Sequence, residues 1–108
     1  LNGVGSFTPA MREVDGAAIA RARIVVDSRS AALAEAGELI DAVDTGLTDP
    51  ADWVELGEIV DGVWPGRETD DQLTFFKSVG LAVQDIAAAA LAFERADELG
   101  LGDEIDLG

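Results

Sequence analysis

The side chains used most often for acid–base chemistry and metal binding are missing, because the 108 residues contain no histidine and no cysteine. Chemistry within the chain must therefore come from carboxylates, hydroxyls, lysine or a bound cofactor. Glu55 and Glu58, three residues apart, could form an acid/base or metal pair. Without a histidine or a third carboxylate at matching spacing, a solvated helix face is the better interpretation, and we predict no metal site.

Three short segments have residues suited to binding a ligand. Residues 3–8 carry two glycines, which let a ligand approach the backbone, and they lead towards a helix start that would favour an anion. Asp27 and Ser28 follow a buried strand, and residues 77–80 bring a lysine, a serine and a glycine to the start of a long helix. An ordinary turn explains the first segment equally well, and helix capping explains the others.

Hydrophobic patterning predicts strands that alternate with helices. The apolar run at 24–26 does not alternate with polar residues, which is typical of a strand buried on both faces of a parallel sheet. The predicted strands are 1–4, 23–27 and 73–76. Two helices are predicted to start at Thr8-Pro9 and at Asp15. Three further helices are predicted over 31–43, 53–60 and 79–99. This order predicts an α/β fold with right-handed crossovers, from which part of the sheet is missing.

The helix over 31–43 has the clearest two-sided pattern. Ser28 or Ser30 can cap its start, and Thr45-Gly46 breaks it at the other end. Its polar face is predicted to carry Glu35, Glu38 and Asp41.

Charge and composition exclude several classes of partner. The net charge is -15, and residues 31–75 hold twelve acids against Arg67 alone. Such a surface repels nucleic acids and anionic membranes. The longest apolar run, residues 86–93, is far below the roughly 20 residues of a membrane span. With no signal peptide visible, the cytoplasm is the expected compartment.

Four stretches, at 4–15, 26–37, 55–62 and 76–85, together resemble the ornithine cyclodeaminase/μ-crystallin family. Their order and spacing are similar to the C-terminal third of that family. The resemblance implies that residues 1–78 are the second half of an NAD(P)-binding Rossmann domain. It also implies that residues 79–108 are a C-terminal helix that returns to the substrate and dimerisation domain.

The resemblance further implies a fragment of an NAD(P)-dependent oxidoreductase of amino acid metabolism. The expected reaction is hydride transfer at the α-carbon of an amino acid or cyclic imino acid, by an imine/ketimine reductase or an amino acid dehydrogenase. The cofactor would be NAD or NADP, and the assembly a homodimer. The family's glycine-rich fingerprint is not among these residues, so the 108 residues alone are expected to be inactive.

Site residues follow from the same resemblance. The expected cofactor-binding residues are Val4, Gly5, Ser6 and Ser78. The expected substrate-pocket residues are Phe7, Lys77 and Ser78. Phe7 departs from the cyclodeaminases, which have a catalytic aspartate at that place, so no catalytic residue is assigned.

Two alternatives to an enzyme remain at this stage. Residues 7–11 look more like the μ-crystallin branch, so a protein that binds NAD(P)H without turnover stays open. A small acidic interaction module is less consistent with the sequence, because the last helix would leave a large apolar patch exposed.

Overall fold

Four parallel strands form one sheet in the computed structural model, which describes residues 1–103, 105, 106 and 108. The strands are β1 (Asn2–Gly3), β2 (Arg23–Val26), β3 (Val54–Glu55) and β4 (Thr74–Lys77). Their order across the sheet is β1-β4-β2-β3, and every pairing is parallel. The strands predicted at 1–4, 23–27 and 73–76 are parallel neighbours in this sheet, so that prediction is confirmed. The sheet also contains β3, which was not predicted.

Four helices lie between the strands along the chain, and a fifth follows the last strand. They are α1 (Gly16–Arg21), α2 (Arg29–Glu35), α3 (Gly37–Asp44), α4 (Leu56–Val60) and α5 (Ala82–Leu99), with a single 3-10 turn at Pro50–Asp52. Asp15 caps α1 by accepting a hydrogen bond from the Ala18 amide. Ser28 caps α2 by accepting from the Ala31 amide. Both of these caps were predicted from the sequence.

Three predicted helix starts are wrong, at Thr8-Pro9, at Trp53 and, in α5, at Val79. Residues 8–11 form a turn rather than a helix, in which the Met11 amide donates to the Thr8 carbonyl. The predicted helix over 53–60 begins only at Leu56, because Val54 is buried and pairs with β2. The reciprocal hydrogen bonds of Glu55 and Glu58, a capping box, fix that start.

The predicted helix over 31–43 is two helices, α2 and α3, separated at Ala36. A close approach explains the break, since a Cβ atom at Gly37 would lie 2.5 Å from the Pro9 carbonyl oxygen. The break also reorients α3. Glu38 is 2% exposed and does not lie on a polar face with the exposed Asp41, so that part of the prediction is wrong.

The core lies between the sheet and the helices. Ile24, Val25 and Val26 are all buried, as the unalternating run predicted for a strand covered on both faces. The buried cluster consists of Ile19, Ile24, Val26, Ala32, Ala36, Leu39, Ala42, Trp53 and Phe75. This cluster holds the strand ends at a fixed spacing.

Helix α5 contributes no buried residue to this core. It starts at Ala82 and not at Val79, because Gly80 has a left-handed φ of 94° that ends the preceding loop. Its exposed apolar side chains include Val83, Ile86, Leu91 and Phe93. Among the described residues, no helix has the length and apolarity required to cross a membrane.

Candidate functional site

The carboxyl ends of the strands bring the three predicted ligand-binding segments to one edge of the sheet. Gly3 pairs with Lys77, Lys77 with Val26, and Val26 with Glu55, so these four residues are level. The residues that follow them therefore lie side by side at the same edge. Hydrogen bonds continue there, from the Ser78 amide to the Gly3 carbonyl and from the Asp27 amide to the Lys77 carbonyl. Ligands of open α/β sheets bind at such an edge.

Lys77 lies directly beneath the turn that follows β1. Its side chain has no exposed surface, and its Nζ donates to the Ser6 carbonyl at 2.7 Å and to Ser6 Oγ at 2.5 Å. The same Nζ lies 2.9 Å from Glu13 Oε2 and 3.2 Å from Glu38 Oε1. The ammonium charge is thus paired with two carboxylates inside the chain.

The side chain of Glu13 holds the turn after β1 by binding two of the turn's backbone amides. Its carboxylate accepts hydrogen bonds from the Gly5 amide at 2.9 Å and from the Ser6 amide at 3.0 Å. The hydrogen bond from the Ser6 amide, followed by that from Lys77, lowers the pKa of Glu13 from 4.5 to about 2. The glutamate is therefore held as an anion at neutral pH.

The glycines of this turn serve contacts inside the protein. A Cβ atom at Gly3 would lie 2.9 Å from the Phe75 ring, and one at Gly5 would lie 2.8 Å from Glu13 Oε1. The close approach that glycine allows is therefore used by Phe75 and Glu13. The two turn amides that might have faced an anionic ligand are already bonded to Glu13.

Asp27 joins the second and third segments. Its Oδ2 accepts from Ser78 Oγ at 2.7 Å, from the Val79 amide at 3.1 Å and from the Gly80 amide at 3.0 Å. Its Oδ1 accepts from the Ser28 amide. Asp27 therefore fixes the loop before α5, while Ser28 supplies the cap of α2.

The predicted site residues fall into two layers. Val4 and Phe7 point outward, with 67% and 59% of their surface exposed, and Ser78 is half-buried beside Asp27. The side chains of Ser6 and Lys77 are buried below them. The outer layer can offer apolar contact, the Gly5 backbone and one hydroxyl to a cofactor.

Sequence reasoning missed the two glutamates of the inner layer. Glu13 lies in a polar stretch between the turn and α1. Glu38 belongs to a helix whose orientation depends on the break at Ala36. The only available signal was local, since Gly37 and Leu39, which flank Glu38, are both residue types suited to burial.

The close pair Glu55 and Glu58 has a structural role. Glu55 accepts from the Arg29 amide at 2.7 Å, and Glu58 accepts from the Glu55 amide at 2.8 Å. Within the described part of the chain, no group of three or more acidic side chains is arranged to hold a metal ion.

Comparison with known proteins shows which proteins share this arrangement of strands and helices. The chain is 48% identical over 108 residues to a Delta(1)-pyrroline-2-carboxylate reductase of Bacillus cereus, covering 98% of this chain and 33% of that protein. It superimposes with a TM-score of 0.86 and 41% identity on the Thermococcus litoralis Delta(1)-pyrroline-2-carboxylate reductase in complex with NADH and L-proline. That match covers 96% of this chain and 32% of the other.

An archaeal alanine dehydrogenase dimer with bound NAD gives a TM-score of 0.80 at 35% identity, covering 99% of this chain and 33% of the other. The chain therefore spans about a third of the length of the relatives it matches. The model of the ornithine cyclodeaminase/mu-crystallin family matches residues 1–100. With nearly its whole length matched, the chain belongs to the ornithine cyclodeaminase/mu-crystallin family.

Proposed function

We propose that these residues form part of an NAD(P)-dependent oxidoreductase that transfers hydride at the α-carbon of an amino acid or cyclic imino acid. One observation carries the proposal. Nearly the whole chain superimposes on a Delta(1)-pyrroline-2-carboxylate reductase in complex with NADH and L-proline. The predicted segments also meet at the carboxyl edge of the sheet, where α/β enzymes bind nucleotides.

The cofactor site of this proposal uses the outer layer. Val4, Gly5 and Ser78 contact the nicotinamide cofactor, whereas Ser6, which is buried, supports the turn from below. The exposed apolar surface next to the Ser78 hydroxyl fits the flat ring of a nicotinamide. It does not fit the pyrophosphate, because the Gly5 and Ser6 amides are bonded to Glu13.

The substrate side of the proposal uses Phe7 and Ser78. Phe7 exposes an aromatic ring that suits an apolar or cyclic substrate. Lys77 supports this pocket from below, because its side chain has no exposed surface. The bound cofactor supplies the hydride chemistry. The residues of this chain orient the two reacting carbons and exclude water between them.

The proposal extends to the C-terminal segment and to assembly. Residues 1–78 belong to the cofactor-binding domain, and residues 79–108 return to a substrate and dimerisation domain of a homodimer, on which α5 packs. The exposed apolar side chains of α5 support this, because the described residues bury none of them. The dimeric alanine dehydrogenase among the similar structures also supports it.

The test is an assay of the full-length protein that contains this chain. Oxidation of NADH and NADPH is followed with five- and six-membered cyclic imino acids, and with pyruvate plus ammonium. We expect imine-dependent oxidation of one reduced cofactor. Tight cofactor binding without turnover on any of these substrates would instead support the μ-crystallin-like binding protein. A protein that neither binds nor oxidises the cofactor would contradict both.

A further inference from the structure

A fully buried lysine is the most unusual polar feature of the described structure. The side chains of Lys77 and Glu38 are 0% and 1% exposed, and Glu13 completes the group at 30%. Burying charges is costly even when they are paired, and well-packed apolar residues often give equal stability. The stability of the core alone therefore does not explain this cluster.

The cluster converges on one residue, Ser6. Its carbonyl and its Oγ accept from Lys77 Nζ, its Oγ donates to Glu38 at 2.8 Å, and its amide donates to Glu13. Every polar group of Ser6 is thus bonded to a residue from another segment. The amide of Gly5 is held by Glu13 in the same way.

The cluster also connects distant parts of the fold. Lys77 ends β4, Glu38 lies in the first turn of α3, and Glu13 precedes α1. The turn after β1 is therefore tied to three separate elements by hydrogen bonds that involve charged groups, which are stronger than neutral ones. Its exposed residues, Val4 and Phe7, flank the segment that is held.

We propose that Lys77, Glu13 and Glu38 are positioning residues that hold the turn at residues 4–7 in the geometry that receives the nicotinamide cofactor. The inference rests on the proposed function for the identity of that ligand. A turn that is ordered before binding saves the ligand the cost of ordering it. Loss of the cluster must therefore appear as weaker cofactor binding more than as slower chemistry.

The first test is Glu13→Gln in the full-length protein. A glutamine offers one acceptor oxygen where the carboxylate serves two turn amides and Lys77, so the turn is released on one side. We expect the KM for the reduced cofactor to rise about tenfold, which is about 1.4 kcal/mol, while kcat changes less than about twofold. Glu35→Gln, which changes an exposed carboxylate on α2, is the matched control and leaves both constants unchanged.

The second test separates positioning from folding. Lys77→Met leaves Glu38 buried without its counter-ion, and the melting temperature falls. Adding Glu38→Met removes that unpaired charge, so the melting temperature recovers in the double variant. The cofactor KM stays raised, because the carbonyl and Oγ of Ser6 still lack their partners Lys77 and Glu38. A double variant with wild-type values of both quantities would overturn the proposal.

Hydrogen exchange makes the inference independent of turnover. The Gly5 and Ser6 amides exchange slowly in the wild type and roughly tenfold faster in Glu13→Gln, because local opening exposes them. Unchanged exchange in that variant overturns the role of the cluster. If exchange accelerates but the wild type neither binds nor oxidises the cofactor, the proposed function has failed and its link to the turn fails with it.

Discussion

At the scale of single residues, the polar groups of the site bind one another. Glu13 accepts hydrogen bonds from the turn amides, and Asp27 accepts them from the loop before α5. Lys77 pairs with Glu13 and Glu38. None of these charged groups is placed as a general acid or base, because each is committed to a structural hydrogen bond. In the proposed function, such a site contributes geometry, and the cofactor and substrate supply the reacting groups.

The pKa of Glu13 gives the first prediction. Because its folded-state value of about 2 lies below the ordinary 4.5, ionised Glu13 stabilises the fold fully above pH 4.5. That contribution is lost as the pH falls through about 2. We expect the wild type to exceed Glu13→Gln in unfolding free energy above pH 4.5, with a difference that shrinks on acidification. Urea unfolding across this range is the measurement, and a pH-independent difference would contradict it.

Asp27 and Ser78 give the second prediction. Ser78→Ala removes one of the hydrogen bonds to Asp27 and should cost about 1 kcal/mol. Asp27→Ala leaves Ser78 and the amides of residues 79 and 80 without their acceptor, and should cost about 3 kcal/mol. In the full-length protein, we also expect Ser78→Ala to slow the proposed hydride transfer. Equal destabilisation in urea unfolding would show that Asp27 does not anchor the loop.

At the scale of elements, the sequence pattern predicted those features that depend on residues adjacent in the chain. The strand at 23–27 and the caps at Asp15 and Ser28 were read correctly, since burial on both faces and capping depend on adjacent residues. The two-residue β3 and the break at Ala36 depend on contacts with distant segments, β2 and residues 9–11. The inner layer of the site was missed for the same reason, because Glu13 and Glu38 meet Lys77 only in the folded chain.

Gly37 tests this explanation of the helix break. Gly37→Ala places a methyl group against the backbone carbonyls of Pro9 and Met11, which cannot move as a side chain can. We expect a loss of about 1–3 kcal/mol, the usual cost of overpacking. Gly57→Ala in α4 is the control, because nothing lies within 4 Å of its added Cβ. That variant should be unchanged or more stable by roughly 0.5–1 kcal/mol. Similar unfolding midpoints for the two variants would contradict the explanation.

At the scale of the whole molecule, one end of the chain leaves its apolar side chains exposed within the described structure. The sheet and α1 to α3 enclose a core, whereas neither α4 nor α5 contributes a buried residue to it. The described residues also form only one side of the proposed cofactor site. The turn after β1 and the loop before α5 form a single edge, with no free amide at Gly5 or Ser6 for a phosphate.

This one-sidedness gives the last prediction. The isolated 108-residue chain should fold but bind NADH and NADPH at least 100-fold more weakly than the full-length protein, a loss of about 2.7 kcal/mol or more. The proposed cofactor contacts at Val4, Gly5 and Ser78 reach only the nicotinamide end, so the binding energy of the pyrophosphate and adenosine would be absent. Calorimetric titration measures the affinity, and a cooperative urea transition shows that the chain is folded. Micromolar binding by the isolated chain would mean that these residues hold most of the cofactor site themselves.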